Sequence, residues 1–262
     1  MLILLVVGSY SCTEEIDLDL NNEKNRKLVV EGEITSGSGP YRVNLTWSTD
    51  FFDSELIPPV TGADVLINGG GDSYPLWEVS PGKYETSPMA RGIEGEEYEL
   101  LVNYKGYNTK SISTIPQKVE LDSITVESHN ISKKGPHYDV RLWFQEPAGI
   151  RNFYQWEIYI NGRHVNDSIY ELAITDDLFF DGMYVRGVFL DYIYANTGDV
   201  VEVRQKSMTK EIYDIYLAIY LQTEFRGGIF DTPAANIPTN MDNGGMGMFS
   251  TSAVSSKKVI IH

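Results

Sequence analysis

The chain carries a single cysteine, Cys12, and its surroundings give that thiol a chemistry. It follows an apolar run, Leu2 to Val7, and the segment Gly8-Ser9-Tyr10-Ser11, and it precedes the acidic pair Glu14 and Glu15. With one cysteine no disulfide forms within the chain, so in an exported protein the thiol is free, bridged to another molecule or modified. An apolar run, small residues and then cysteine is the pattern of a bacterial lipoprotein signal, in which the thiol is acylated, for instance by palmitate, and becomes the first residue of the mature chain. Each buried CH₂ of an acyl chain contributes about 0.8 kcal/mol, and a stable hold on a bilayer takes more than one such chain. A buried strand is the alternative reading of Leu2 to Val7. No Lys or Arg precedes the run and Ser9 stands where such signals more often carry Leu or Val; an upstream start codon would explain the missing basic residues.

Other constellations are more local. Asp176, Asp177 and Asp181, just ahead of Gly182, offer oxygen ligands to a hard cation such as Ca²⁺, but their spacing is not that of an EF-hand, and a solvated turn is the alternative. Met241, Met246 and Met248 offer thioethers suited to Cu(I), or ordinary packing. The 4 histidines, His129, His137, His164 and His262, lack metal-ligand spacing. Tyr213, Tyr216 and Tyr220 recur at helical spacing, as residues lining a ligand cleft or packing on a core would. Searching for catalysis gives no HExxH, no GxSxG, no Walker loop and no strand-bound GxGxxG, and Gly69-Gly70-Gly71 lacks phosphate-cradling spacing. A glycosidase-type carboxylate pair leaves no local signature, so a carboxylate-dependent hydrolase stays open. The residues imply no cofactor.

The elements that must position these residues are mostly strands. Tyr41, Val43, Leu45 and Trp47 alternate with polar residues, as do Ala63, Val65 and Ile67, and Tyr98, Leu100, Val102 and Tyr104. That period of two belongs to half-buried strands. Ser36 to Pro40, Asn68 to Asp72, Ser80 to Lys83 and Lys105-Gly106 supply the turn residues between them. The texture from residue 28 to 116 predicts an immunoglobulin-like or transthyretin-like β-sandwich. Ile115-Pro116-Gln117 marks a seam, and residues 117 to 262 form a second β-rich unit, sandwich or barrel-like. There Tyr138, Val140, Leu142 and Phe144 alternate, as do Tyr154, Trp156, Ile158 and Ile160, and Asn161-Gly162 is a hairpin signal. Further strands are predicted at Met183 to Leu190 and Val200 to Lys206. Residues 209 to 225 depart from the pattern with one amphipathic helix, capped by Thr209 and stopped at Gly227-Gly228.

Composition bounds what such a body can do. Of its 262 residues 42% are apolar and 17 are tyrosine, enough for sizeable cores in a mainly β protein. Acidic residues outnumber basic ones 37 to 21, a net charge of −16, which disfavours nucleic acid and anionic bilayer surfaces, since phosphate binding needs clustered Lys and Arg. After Val7 no apolar run approaches the roughly 18 residues of a spanning helix, so membrane attachment would rest on the lipid at Cys12. Residues 1 to 12 then read as signal and lipidation site and residues 13 to 27 as a polar, acidic leash.

Taken in order, Pro59 to Val65, Ser80 to Tyr84, Leu121 to Ile124, Asp177 to Gly182, Ala235 to Asn240 and Gly244 to Phe249 resemble the Bacteroidota lipoprotein family called domain of unknown function 4249. The resemblance covers nearly the whole mature chain; the departure is Met246-Gly247-Met248-Phe249, where an aliphatic residue and an aromatic one are expected. It implies an outer-membrane lipoprotein, frequently encoded beside TonB-dependent receptors, with no established catalytic residues. In that setting Glu14 and Glu15 resemble the signal that sends lipoproteins to the outer face of the outer membrane, with a plain solvated linker as the alternative. Asp122-Ser123-Ile124 and Asp167-Ser168-Ile169 resemble an O-glycosylation motif of exported proteins of that phylum, with Ser123 and Ser168 as acceptors. The expectation is a surface-exposed, ligand-binding or accessory partner of a TonB-dependent nutrient transporter, not an enzyme. An adhesin or envelope-structural lipoprotein is the alternative.

Overall fold

The computed structural model describes residues 26–49, 57–132, 135–223 and 236–262. The fold is mainly β with one α-helix, as the alternation predicts. In chain order the strands of the first half are β1 (Leu28–Thr35), β2 (Gly37–Ser38), β3 (Arg42–Trp47), β4 (Asp64–Gly69), β5 (Asp72–Ser80), β6 (Lys83–Glu85), β7 (Arg91–Gly92), β8 (Glu97–Tyr104) and β9 (Tyr107–Thr114). The second half adds β10 (Leu121–Ser132), β11 (Gly135–Gln145), β12 (Phe153–Ile160), β13 (Arg163–His164), β14 (Ala173–Asp176), β15 (Tyr184–Tyr194), β16 (Val200–Met208), the helix α1 (Lys210–Thr223) and β17 (Met246–Ile260). The strand predicted from Met183 thus runs on to Tyr194, and the predicted helix is seen from Lys210 to Thr223 with Thr209 as its cap: the Thr209 carbonyl accepts from the Tyr213 N–H at 3.0 Å. Its predicted stop at Gly227-Gly228 lies outside the described residues.

One 12-stranded sheet organises both halves, in the order β13-β12-β16-β17-β1-β3-β6-β5-β4-β8-β9, with β14 also on β12. In the first half it folds over itself at β5, whose first part pairs with β4 and whose last part pairs with β6 across a bulge at Glu78 to Ser80. The two leaves enclose a core of Val30, Ile34, Val43, Leu45, Ile67, Tyr84, Tyr98 and Leu100. Gly32 sits where the leaves approach: a Cβ there would meet Leu100, Val43 and Phe249 side chains at 3.1 to 3.2 Å. In the second half the same sheet packs against a separate 3-stranded sheet, β10-β11-β15, over Leu121, Val140, Leu142, Phe144, Tyr154, Trp156, Ile158, Val201 and Val203. Asn161-Gly162 forms the hairpin turn between β12 and β13, with φ of 51° and 82°, the positive pair that a tight right-twisted hairpin requires.

The last strand joins the halves. β17 runs parallel to β1, Gly32 opposite Phe249, and antiparallel to β16. Its Phe249 and Ala253 belong to the first core, while Val259 packs on the second. The C-terminal segment, assigned from sequence to the second unit, is therefore a strand that also walls the first.

On the outer face of the central strands lies α1, whose Ile212 and Ile215 pack with Phe153 and Met208. Beside it is an ion cluster in which Lys206 and Glu157 are buried and Glu33 is partly exposed. Lys206 of β16 donates to Glu33 of β1 at 2.7 Å and to Glu157 of β12 at 2.5 Å, and Tyr159 donates to Glu157 at 2.9 Å. Burial alone would depress the Lys206 pKa, but Glu33 and Glu157 outweigh it and hold the ammonium above the usual lysine range. Burial would raise Glu157, yet Lys206 brings it below the usual carboxylate range.

Removing the cation would strand Glu157 in a site that is 8% exposed. Lys206→Ala is expected to lower the unfolding free energy by about 3–5 kcal/mol in urea titrations, whereas Lys206→Met combined with Glu157→Leu recovers most of it. The stability from Glu157 is present above the pKa of an unfolded glutamate and is lost as pH falls through its lowered folded value. That from Lys206 is present below the pKa of an unfolded lysine and is lost as pH rises through its raised one. The double variant is expected to flatten the profile at both ends.

Candidate functional site

The sheets of the second sandwich do not close at one side. β15 is an edge strand of the 3-stranded sheet, and across from it β13 and β14 form the edge of the large sheet. Between these edges opens a cleft of about 420 Å³, within the size range of small-molecule sites. Its floor is the buried trio Leu142, Phe144 and Trp156. Phe180, Val185 and Leu190 also line it, and the exposed Met183, Val188 and Phe189 form its mouth.

Two bulges in β15 shape the opening. Val185 pairs with Phe144 and Val188 with Leu142, so both stand opposite inward-facing residues, with Gly187 as the extra residue between them. Simple alternation would put Val185 and Val188 on opposite faces; the bulge re-aims one of them. A second irregularity, at Leu190, restores the register before Ile193 returns to the core. Gly187 has φ 58°, and a Cβ on it would lie 2.9 Å from Trp143.

The aspartates singled out in the sequence hold the loop that brings Phe180 to the cleft. Asp181 accepts from the Gly149 N–H at 2.7 Å, and Asp177 accepts from the Asn152 N–H at 2.8 Å and pairs with Arg151 at 3.1 Å. Asp176 pairs with the same guanidinium at 2.7 Å. Backbone N–H groups and Arg151 thus engage one oxygen or more of each, Asp177 Oδ1 has the Arg151 ion pair but no hydrogen bond, and Asp177 is buried, not solvated. Among the described residues no group of three or more His, Cys, Asp or Glu is placed to hold a metal ion. Phe180 packs edge-on to Phe144, centroids 6.2 Å apart, and stacks on Tyr154. Behind this floor the Tyr154 hydroxyl donates to Glu146 at 2.5 Å and Asn152 donates to the same carboxylate at 2.7 Å. Burial, reinforced by Asp177 and Asp181, pushes Glu146 above the usual carboxylate range despite these bonds.

The tyrosines of α1 do not line this cleft. Tyr213 lies against Phe153 with centroids 5.1 Å apart, and Tyr216 joins the same packing cluster. Burial drives the Tyr216 phenol up to about 12, helped by Glu33. Tyr220 is half-buried, and its carbonyl accepts from the Thr223 hydroxyl at 2.7 Å. Met241 is buried in the first core, Met246 is exposed and Met248 packs towards α1, so the three thioethers do not converge. His164 stacks on Tyr159 at 4.8 Å and His137 lies by Tyr192 and Tyr194. Ser123 is exposed on β10, and Ser168 is half-buried, its hydroxyl accepting from the Tyr170 N–H. Cys12, with its flanking apolar run and acidic pair, lies outside the described residues.

Residues 13–258 match the family described as a domain of unknown function (DUF4249). The chain belongs to that family. No curated protein matches it. The DUF4249 match takes in the first core, α1, every residue of the cleft and all of the second core but Val259 and Ile261. Among the described residues, no helix of this DUF4249 protein is long and apolar enough to cross a membrane.

The sequence reading missed the ion cluster on the outer face. A groove of about 390 Å³ runs beside it, lined by Glu33, Glu157, Tyr159, Arg204 and Lys206 among others. Arg204 lies over the Tyr159 ring at 4.1 Å and pairs with Glu202 at 2.8 Å. Glu33 and Glu157 are brought together by Lys206, which keeps Glu157 ionised and gives it no proton to donate as a glycosidase acid must. Strand alternation places these residues opposite Trp156 and Ile158, on what reads as a solvent face; only the placement of α1 reveals their burial. Glu146 had a legible signal, since it continues the inward alternation of Leu142 and Phe144.

Gly187→Ala forces a left-handed backbone on alanine, at roughly 1–2 kcal/mol, and presses on Trp143. It is expected to lower the unfolding free energy by about 1–3 kcal/mol in chemical denaturation and to weaken binding of an apolar probe, as Val188 leaves the inward face.

Proposed function

We propose that this protein is a surface-exposed outer-membrane lipoprotein of a Bacteroidota-type bacterium. It is anchored through acylated Cys12 and binds an apolar ligand in the β15 cleft as the accessory partner of a TonB-dependent nutrient transporter. The observation that carries the ligand reading is the cleft itself, an apolar cavity that reaches down to Trp156 and Phe144. A protein with no such task would gain by closing it: each buried large apolar side chain contributes roughly 1.5–3 kcal/mol, and exposed apolar residues grouped at a mouth mark binding surfaces. Leu178 and Phe179, next to Phe180 in the loop, extend the apolar rim at 59% and 88% exposure. The anchor and its address rest on the lipoprotein pattern around Cys12, the leash of residues 13 to 27 and family membership.

Three measurements test this. Cys12→Ser is expected to move the protein from the membrane fraction to the supernatant of the native host; retention in the membrane would sink the anchor. Affinity capture of the acylated protein from solubilised outer membranes is expected to bring down a TonB-dependent receptor, and its absence from repeated captures would sink the partner. Val188→Asp places a charge at the cleft mouth and is expected to weaken binding of decanol by at least about tenfold in calorimetry, with the unfolding midpoint nearly unchanged.

A further inference from the structure

The 3-stranded sheet turns one face to the second core and leaves the other exposed. Arg141, Trp143 and Gln145 of β11 alternate with the inward Val140, Leu142 and Phe144, so they point outward. Opposite them on β15 stand Phe189, which also borders the cleft mouth, Arg186 and Tyr184, and beyond these Tyr192 and Tyr194 stand opposite Asp139 and His137. The rings on β15 are 39% to 55% exposed. Two rings of this face lie along the sheet. Trp143 reaches over Gly187 of β15, where a Cβ would stand 2.9 Å from the indole. The Tyr184 hydroxyl donates to Asp122 of β10, so its ring spans β11, the strand between. Around them Arg186 places its guanidinium 5.6 Å from the Tyr184 centroid, and Arg141 donates to the Gly187 carbonyl at 3.1 Å and to Asp139 at 3.3 Å. Glu127 of β10 stands opposite Asp139 and approaches Arg141 at 3.6 Å. Two guanidinium groups against the carboxylates of Asp122, Glu127 and Asp139 make a nearly neutral face on a chain of net charge −16.

We propose that this face binds a neutral polysaccharide, with sugar rings laid on Trp143 and Tyr184 and their hydroxyls on the charged groups between the rings. The site is on the opposite face of the sheet from the cleft floor and does not rest on the cleft reading. A pyranose presents a face of C–H groups, polarised positive by the neighbouring oxygens, to the negative face of an aromatic ring. Its hydroxyls exchange charge-assisted hydrogen bonds with guanidinium and carboxylate groups. Each such contact is weak, so a chain that touches several rings gains over a single sugar. At about 3.3 Å per residue, Tyr184 to Tyr194 spread over roughly 30 Å. The balance of charge selects among polymers. Nucleic acid also stacks on aromatic rings but needs a basic groove, and the three carboxylates here repel its phosphates. The core of a protein interface is depleted of Asp and Glu, because a partner surface buries them without replacing the water they lose; sugar hydroxyls replace it.

The test is affinity electrophoresis of the full chain carrying Cys12→Ser in native gels containing galactomannan, xyloglucan or amylopectin, with polygalacturonate as the anionic polymer. Retardation by at least one neutral polysaccharide is expected, and none by polygalacturonate. Trp143→Ala is expected to weaken the retardation roughly threefold to tenfold, the worth of one stacked ring. Tyr192→Ala, at a ring 55% exposed, repeats the test should Trp143→Ala fail to fold. Tyr107→Ala removes an exposed ring of β9, far from this face in the fold, and is expected to leave the retardation unchanged. No retardation in any of the three neutral gels overturns the proposal, as does an equal loss from Tyr107→Ala. Retardation by polygalacturonate alone overturns the neutral assignment. A dimer seen by light scattering that Tyr192→Ala dissolves, without retardation in any gel, would assign the face to a second copy of the chain instead. Each of these failures leaves the cleft reading standing, since decanol meets the other face of the sheet.

Discussion

The parallel pairing of β17 with β1 is the constraint on which the molecule depends. Without it the large sheet would be two sheets, one per half, and each half would lack a wall. With it, one strand delivers Phe249 and Ala253 to the first core and Val259 to the second. Parallel neighbours cannot be joined by a tight turn, and here nearly the whole described chain lies between the partners. β17 is also held from the facing strands: the hydroxyls of Ser113 in β9 and Thr251 meet at 2.8 Å, and the N–H of Leu121 in β10 donates to the Ser255 hydroxyl at 2.9 Å. The ion cluster adds a second clasp, since Glu33, Glu157 and Lys206 come from β1, β12 and β16.

The cleft is a consequence of unequal sheets. Three strands face one end of a larger sheet, over β12 and β16, and the edge left by β15 does not pair with β14. Its bulges prevent the flat exposed edge that would recruit a strand from another chain and aim Val188 at the opening instead. The loop after β14 closes one end, and the aspartates that hold it explain why three acids cluster there without converging on a cation. The two halves of the molecule therefore differ in kind: the first is closed around its core, while the second keeps an apolar surface accessible.

How much of this was legible depended on the range of the interaction involved. Tyr41 to Trp47, Tyr98 to Tyr104, Tyr138 to Phe144 and Phe153 to Ile160 announce strands because alternation is a local property, and Asn161-Gly162 announces its hairpin because positive φ is too. The helix was legible from its period, and so was the packing option for Tyr213 and Tyr216. The bulge at Gly187 was not, because a glycine within a strand pattern reads equally as a weak spot or a turn. The burial of Lys206 and Glu157 was not legible, since alternation assigns a face but says nothing of what lies over it.

The sequence by itself determined the mainly β texture, the single helix, the acidic character and membership of the DUF4249 family, along with the expectation placed on Cys12. Tertiary structure alone decided which strand joins the halves, which charges are buried and where the sandwich stays open. Those features arise from contacts between residues far apart in the chain, such as Glu33 with Lys206, and the energy of such contacts depends on burial and geometry that no local window of sequence contains.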